Sequence, residues 1–207
     1  MKIDVYPVKI CIVGQSGAGK DTMADCIVRH RPQAVRIAFA DELKRLCNRM
    51  LNDLIDKEHL GIPHFNTTDV SVINNQKQLL RGLWQWMGTD LMRHHDNTFW
   101  IRKVEAYLTE HAFNSAVITD GRFQNEIDWA RSQGFIIVKV SRSTHFSVPN
   151  DIVVRAHESE IGSFSIVPDI EYRNDGTIED MSDWVSNVLM DMCHQRYRNG
   201  SVDYVLA

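Results

Sequence analysis

The stretch GQSGAGKDT, residues 14 to 22, places three glycines, a lysine, a carboxylate and two hydroxyls within nine residues. Glycines let a backbone turn tightly enough to aim several N–H groups at one anion. A helix that starts at the end of such a turn adds the positive end of its dipole. Gly14, Gly19 and Lys20 fit the spacing G-x-x-x-x-G-K, which in the standard phosphate-cradling loop is followed at once by Ser or Thr. Here Asp21 stands in the hydroxyl's place, and Thr22 brings the hydroxyl one residue late. Gly14, Gly17, Gly19, Lys20, Asp21 and Thr22 are thus candidates to hold the phosphates of a nucleotide. The alternative is an ordinary strand–helix turn with a chance lysine. Asp21 could accept from a magnesium-bound water, since magnesium dehydrates reluctantly. It could equally do no more than cap the helix start.

A second group of candidates follows an apolar run. VITDGRFQNE puts Asp120 at its end and Arg122 two residues later. In phosphate-loop proteins an acid there reaches magnesium or its water shell, and Arg122 could reach a phosphate. The plain reading is that Asp120 caps a helix and Arg122 is a surface arginine.

A third group, RGLWQWMGTD, holds Arg81, Trp84, Gln85, Trp86 and Thr89. Arg81 and Gln85, four apart, share a helix face. An arginine fork can hold a phosphate, a glutamine can both donate to and accept from a base edge, and a tryptophan can stack on a base. Either tryptophan taken alone reads as core. In RHHDN the adjacent histidines point in different directions, so a shared metal ion is not expected, while Arg93 could contact phosphate.

These groups need a scaffold to position them. VKICIV (8 to 13) reads as a buried parallel strand leading into the glycine loop, and residues 19 to 30 as the helix after it, with Met23, Ala24, Ile27 and Val28 on one face. AVRIAFA (34 to 40) reads as a strand, and DELKRLCNRMLNDLI as a helix with a stripe of Leu43, Leu46, Cys47, Met50 and Leu54. Residues 57 to 74 read as a loop. A helical pattern resumes from Asn75, with a break expected near Gly88, and TFWIRKVEAYLTEHA is a further helix.

SAVITD and FIIVKV read as strands around the helix QNEIDWARSQG, which Gly134 closes. DIEYRN is a last strand, and a final helix begins with Thr177 as N-cap. This alternation implies an α/β fold with a mainly parallel sheet flanked by helices. Two stretches depart from it: the helical block of about 41 to 113 and the polar segment of about 142 to 165. Both read as insertions over the carboxyl edge of the sheet, where open α/β sheets bind ligands. The polar segment carries Arg142, His145, Arg155, His157, Glu158 and Glu160 and suits a lid that closes over a transferring group. In RNDGT, the main chain around Asn174 and Gly176 could read a base, or could form a simple turn.

At 207 residues, 43% hydrophobic and 24% charged, the chain suits one soluble domain with insertions. Its net charge of −4 excludes a general electrostatic grip on nucleic acid. Cys11, Cys26, Cys47 and Cys193 form no C-x-x-C pair and read as reduced, packed thiols. With no apolar segment of membrane-spanning length, the expectation is a cytoplasmic protein.

Taken together, GQSGAGKDT, FADELK, LLRGLWQWMGTD, NTFW, VITDGRFQNEIDWA, HESE and NDGTIEDM resemble the deoxynucleoside monophosphate kinases of bacteriophages, from residue 10 to about 185. Within the phosphate loop, GAGKDT is similar to the G-K-G-T of the adenylate kinase type, with Asp21 replacing the third glycine. Two departures stand out: Gly121, where the family usually has a bulkier residue, and Gln124, where it often has proline. The resemblance implies a P-loop nucleoside triphosphate hydrolase fold with an acceptor-binding helical insertion and a lid. It implies ATP and magnesium as cofactors and transfer of the ATP γ-phosphoryl to a deoxynucleoside 5′-monophosphate.

Lys20, Asp120 and Arg122 would then be catalytic, with Asp21 and Asp120 near the metal. The loop residues, Asn174 and Gly176 would hold ATP. Asp41, Arg81, Trp84, Gln85, Arg93, Arg142 and His157 would bind the acceptor.

An acceptor phosphate with a second pKa of about 6 is mostly dianionic near neutral pH and needs no general base. Two other readings stay open. One is a small-metabolite kinase such as one acting on dephospho-coenzyme A, whose alcohol would need a base such as Asp41. The other is a non-catalytic nucleotide switch or motor. No stable nucleic-acid or membrane partner is expected, and a homodimer is left open.

Overall fold

A computed structural model describes residues 6–59, 69–143 and 165–200. It divides into two compact units: unit 1 is Met1–Ala38 with Leu108–Ala207, and unit 2 is Phe39–Tyr107.

Unit 1 is built on a five-stranded sheet in the order β2-β3-β1-β4-β5. The strands are β1 Lys9–Val13, β2 Val35–Ile37, β3 Ala116–Gly121, β4 Ile136–Ser141 and β5 Ile170–Arg173, and every pairing is parallel. The apolar run of β1 is central, and Ile10, Cys11, Ile12 and Val13 are fully buried. β1 is therefore the switch point of the sheet, with β3 on one side and β4 on the other, and a ligand crevice opens at the carboxyl ends of strands at such a point. The α1 helix, Lys20–His30, follows the loop and buries Met23, Ala24, Cys26 and Ile27. Cys26 takes the place expected of Val28, which is half-buried.

α6, Gln124–Ser132, joins β3 to β4, and Gly134 follows it with φ of 80°, a left-handed conformation that suits glycine. α7, Ile178–Trp184, starts at the expected cap: Thr177 Oγ1 accepts from the Asp180 N–H at 3.1 Å, and Asp180 Oδ2 accepts from the Thr177 N–H at 2.8 Å. The chain then runs on through a π-helical stretch, Val185–Leu189, into α8, Met190–Arg198. All four cysteines are free and buried.

Unit 2 is helical. It contains α2 Ala40–Glu58, α3 Val70–Ile73, a 3-10 turn Asn74–Gln76, α4 Lys77–Gln85, a π-helical stretch Trp86–Arg93, and most of α5, Phe99–Glu110. Three expectations are corrected here. The second strand is shorter than residues 34 to 40, because Ala40 already begins α2. The stripe of α2 is Leu43, Cys47, Asn48 and Ile55, whereas Met50 and Leu54 are about half exposed, at 50% and 49%. The helix does not break at Gly88 but widens there by one residue per turn.

Glycine is accommodated at that point because Leu43 of α2 lies against it, where a Cβ would stand 2.5 Å from Leu43 Cδ2. The Gly88 carbonyl accepts from Trp100 Nε1 of α5 at 2.9 Å. Among the described residues no helix is long and apolar enough to cross a membrane.

Gly88→Ala must push Leu43 aside in a close-packed interior, a kind of strain that costs about 1–3 kcal/mol. The expected result is a lower urea midpoint with an unchanged slope. An unchanged midpoint would contradict the tight packing of α2 on this helix.

Candidate active site

The glycine loop occupies residues 14 to 19, between the end of β1 and the start of α1. Gly14, Gly17 and Gly19 have φ of 145°, 80° and 104°, where only glycine is free of strain. Two of the three are also crowded. A Cβ on Gly14 would run into the carbonyl of Val140 in β4, and one on Gly19 into the side-chain amide of Asn174. Gly19 is the N-cap of α1 and has no side-chain cap, so the first-turn N–H groups remain for an anion. Lys20 lies back along the loop, its Nζ donating to the carbonyls of Gly14 at 2.8 Å and Gln15 at 2.7 Å. Thr22 is half-buried in the first turn of α1.

Asp21 lies in the first turn of α1. Its carboxylate is bound by Arg36 of β2, which also holds Asp25 at 2.6 Å, and the Asp21 side chain is 80% exposed. It is not a cap of the helix.

Asp120 sits near the carboxyl end of β3, beside β1. Cys11 pairs with Ile118 and Val13 with Gly121, so two residues of β3, Thr119 and Asp120, stand opposite Ile12 alone. Such a bulge re-aims a side chain at the end of a strand. The N-cap of α6 is Phe123. Glu126 closes the helix start: its buried carboxylate accepts from the N–H groups of Arg122 at 2.9 Å and Phe123 at 3.1 Å. Glu126 thereby fixes the turn that carries Arg122. Gly121 is enforced by its neighbours, since a Cβ would meet Cys11 Sγ at 2.8 Å, Ile127 Cδ1 at 3.0 Å and Val13 Cγ1 at 3.1 Å. Burial, reinforced by the Glu126 and Asp120 carboxylates, pushes the Cys11 thiol well above the ordinary thiol range.

Asn174, just past β5, is 7% exposed and joins three strand ends. Its Nδ2 donates to the Ala18 carbonyl in the glycine loop at 2.8 Å, and its N–H donates to Ser141 at the end of β4 at 2.7 Å. Its carbonyl accepts from Arg142 Nε at 3.2 Å. Next to it, Asp175 accepts from the Ser143 N–H at 2.8 Å and from Ser143 Oγ at 2.6 Å, and pairs with Arg173. The Ser143 bonds, with Arg173 behind them, hold the Asp175 carboxyl down at about 2. The network is therefore complete above the ordinary carboxylate range and is lost only as pH falls toward that value. Gly176 follows, packed on the Asp180 side chain.

In unit 2, Trp84 is buried, as a core reading expects, but Trp86 is 51% exposed. Lys44 Nζ stands 5.8 Å from the centroid of the Trp84 ring and 3.8 Å from Asp41 Oδ1. Arg81 is exposed, while Gln85 and Arg93 are half-buried on the helix that continues from α4. His157 and all but Arg142, Ser143 and Ser165 of the lid-like segment lie outside the described residues.

The model of the deoxynucleotide monophosphate kinase family matches residues 52–185. The chain belongs to that family. The matched stretch runs through Arg81, Gln85, Arg93, Asp120, Arg122, Asn174 and Gly176, and begins after the glycine loop. A protein of Acanthamoeba polyphaga mimivirus, described provisionally as a deoxynucleotide monophosphate kinase, is 28% identical over 192 residues, covering 84% of this chain and 91% of the relative.

Placing the chain among these nucleotide kinases makes three further residues relevant. Glu126 was legible as the third residue after Phe123, the place where a glutamate closes a helix start. Lys44 was legible as the basic residue three positions after Asp41. Arg36 gave no signal, because its partners Asp21 and Asp25 are distant in sequence.

Asn174 entered as a main-chain contact to a base, yet its side chain is committed to the glycine loop. Asn174→Ala would leave the buried Ala18 carbonyl unpaired, at a cost of about 1–3 kcal/mol. The expected outcome is a rise in the KM for the phosphoryl donor that exceeds any change in the acceptor KM. Equal change in both would remove Asn174 from the donor side.

Proposed function

We propose that the chain transfers the γ-phosphoryl of ATP to a deoxynucleoside 5′-monophosphate, yielding ADP and the deoxynucleoside diphosphate. The observation that carries this reading is the glycine loop at the switch point of a parallel sheet, with Lys20 laid along it. Unit 1 supplies the donor site. The N–H groups of residues 14 to 20 and the Thr22 hydroxyl hold the phosphates, and Lys20 takes up the charge of the transferring group. Exchanging its two carbonyl partners for phosphate oxygens would release Lys20 from the loop. Asn174 and Gly176 border the base.

Arg122, held by Glu126 through its own N–H, meets charge on the transferring phosphoryl. Unit 2 supplies acceptor-binding groups in Asp41, Arg81, Trp84, Gln85 and Arg93.

Among the described residues no three His, Cys, Asp or Glu side chains are grouped to hold a metal. Magnesium fits nonetheless, because it keeps several waters and takes one or two carboxylates plus substrate phosphates. Asp120, near the carboxyl end of β3, and Asp21, whose carboxylate Arg36 binds, are the candidate ligands. When bound, the ion would offset charge on the donor's outer phosphates. Neither acceptor nor donor needs a general base, so the protein's share is alignment and charge compensation.

A thin-layer screen of ATP against each deoxynucleoside monophosphate, each ribonucleoside monophosphate and dephospho-coenzyme A tests the reading. Product from a deoxynucleoside monophosphate is expected. Product from dephospho-coenzyme A alone, or hydrolysis with no acceptor product, would refute it.

Lys20→Ala should lower turnover by about 10²–10³, the scale for removing one donor to a developing charge, without unfolding the chain. Normal activity in the folded variant would refute the donor site. Arg122→Ala should depress turnover at saturating ATP more than it weakens ATP binding. The reverse pattern would place Arg122 in ground-state binding instead.

A further inference from the structure

Asp21 puts a carboxylate on a residue whose own N–H belongs to the start of α1. The first N–H that α1 takes into its ladder is that of Met23, which donates to the Gly19 carbonyl at 2.9 Å. The N–H groups of Asp21 and Thr22 precede it, in the turn where a helix binds an anion. An acid there suits the positive end of a helix while the site is empty. Once phosphates arrive, the same carboxylate is a like charge close to them. Asp25 follows one turn later on the same edge of α1, and like charges four residues apart repel.

Arg36 reaches both carboxylates from β2. Its two terminal nitrogens are divided between them: Nη2 donates to Asp21 Oδ1, and Nη1 donates to Asp25 Oδ1 at 2.6 Å. β2 is an edge strand of three residues, and Arg36 pairs with Val117 of β3. All three side chains are open to solvent, Arg36 at 37% and Asp25 at 55%. Ion pairs so exposed add little to the stability of a fold. A cation between two carboxylates at the start of a phosphate-binding helix acts instead on the charge that an arriving anion meets.

We propose that Arg36 is a positioning residue of the donor site: it holds the Asp21 carboxylate and offsets its charge, so that the first turn of α1 can accept the donor's phosphates. The inference rests on the reading that the glycine loop binds the phosphates of ATP. Two carboxylates and one guanidinium leave a single net negative charge at this edge of α1, and without the guanidinium the charge doubles. Arg36 touches neither the nucleotide nor the reacting atoms in this arrangement. It acts through Asp21.

The test is calorimetric titration of the full chain with ATP and with ADP, first with EDTA and then with magnesium, over a range of salt. Arg36→Gln should weaken metal-free ATP about threefold or more at low salt. The deficit should shrink as the screening length falls from about 30 Å at 0.01 M salt to about 3 Å at 1 M. It should be smaller for ADP, and smaller for magnesium-ATP, because each carries less charge. Arg36→Gln/Asp21→Asn should recover the affinity. Arg36→Gln/Asp25→Asn should recover less of it, since Asp25 stands about 6 Å farther along α1. Arg36→Lys keeps the charge without the fork and should retain most of the affinity. Thermal unfolding accompanies each variant. If Arg36→Gln does not fold, Asp21→Asn alone decides, and it should tighten metal-free ATP.

No recovery on removing the Asp21 charge would make Arg36 a structural strap and overturn the proposal. So would a deficit that salt leaves unchanged. Tighter binding of magnesium-ATP by Arg36→Gln would mean that the released Asp21 serves the ion, and it too would overturn the compensating role. If wild type binds no ATP at all, the donor reading itself falls. A wild type that binds ATP while Arg36→Gln binds it equally well removes only the role of Arg36.

Discussion

The carboxyl end of β1 leaves no room for a side chain. Gly14 lies against the Val140 carbonyl of β4, so the chain must turn at that point, and the loop it enters stands at the crevice between β3 and β4. Everything proposed for the donor depends on this packing. It sets where α1 begins, and so where the first-turn N–H groups point. It also places the loop against Asn174, whose amide ties the Ala18 carbonyl to the end of β5. The loop is thus braced by β4 and β5 on one side, while the bulge of β3 presents Asp120 on the other.

Much of unit 1 was legible from sequence because its signals are local. Apolar runs gave the strands, Gly134 ended a helix, and Thr177 with Asp180 began one. What was not legible depends on partners far away in the chain. The tie from Asn174 to Ala18 spans 156 residues, and nothing in RNDGT reveals it. Nothing in GQSGAGKDT reveals that the pairing of β2 brings Arg36 beside Asp21.

In unit 2 a simple 3.6-residue periodicity failed at Gly88. A glycine in a helical pattern reads as a break, whereas the packing of Leu43 and the indole of Trp100 keep the chain helical and merely widen it. The same periodicity placed Met50 and Leu54 in a stripe that α2 leaves exposed.

The order in which strands pair bears on how the chain reaches this structure. β3 follows β1 by roughly a hundred residues and all of unit 2 lies between them, yet the two strands are hydrogen-bonded neighbours. Closing so long a loop is entropically costly, though the cost grows only as the logarithm of its length. The helices of unit 2 are built from local bonds and can form inside that loop first, which shortens the effective chain to be closed. During synthesis β1 and the glycine loop emerge before unit 2, and their partners β3 and β4 only after it. The glycine loop is therefore made well before the strands that give it its shape.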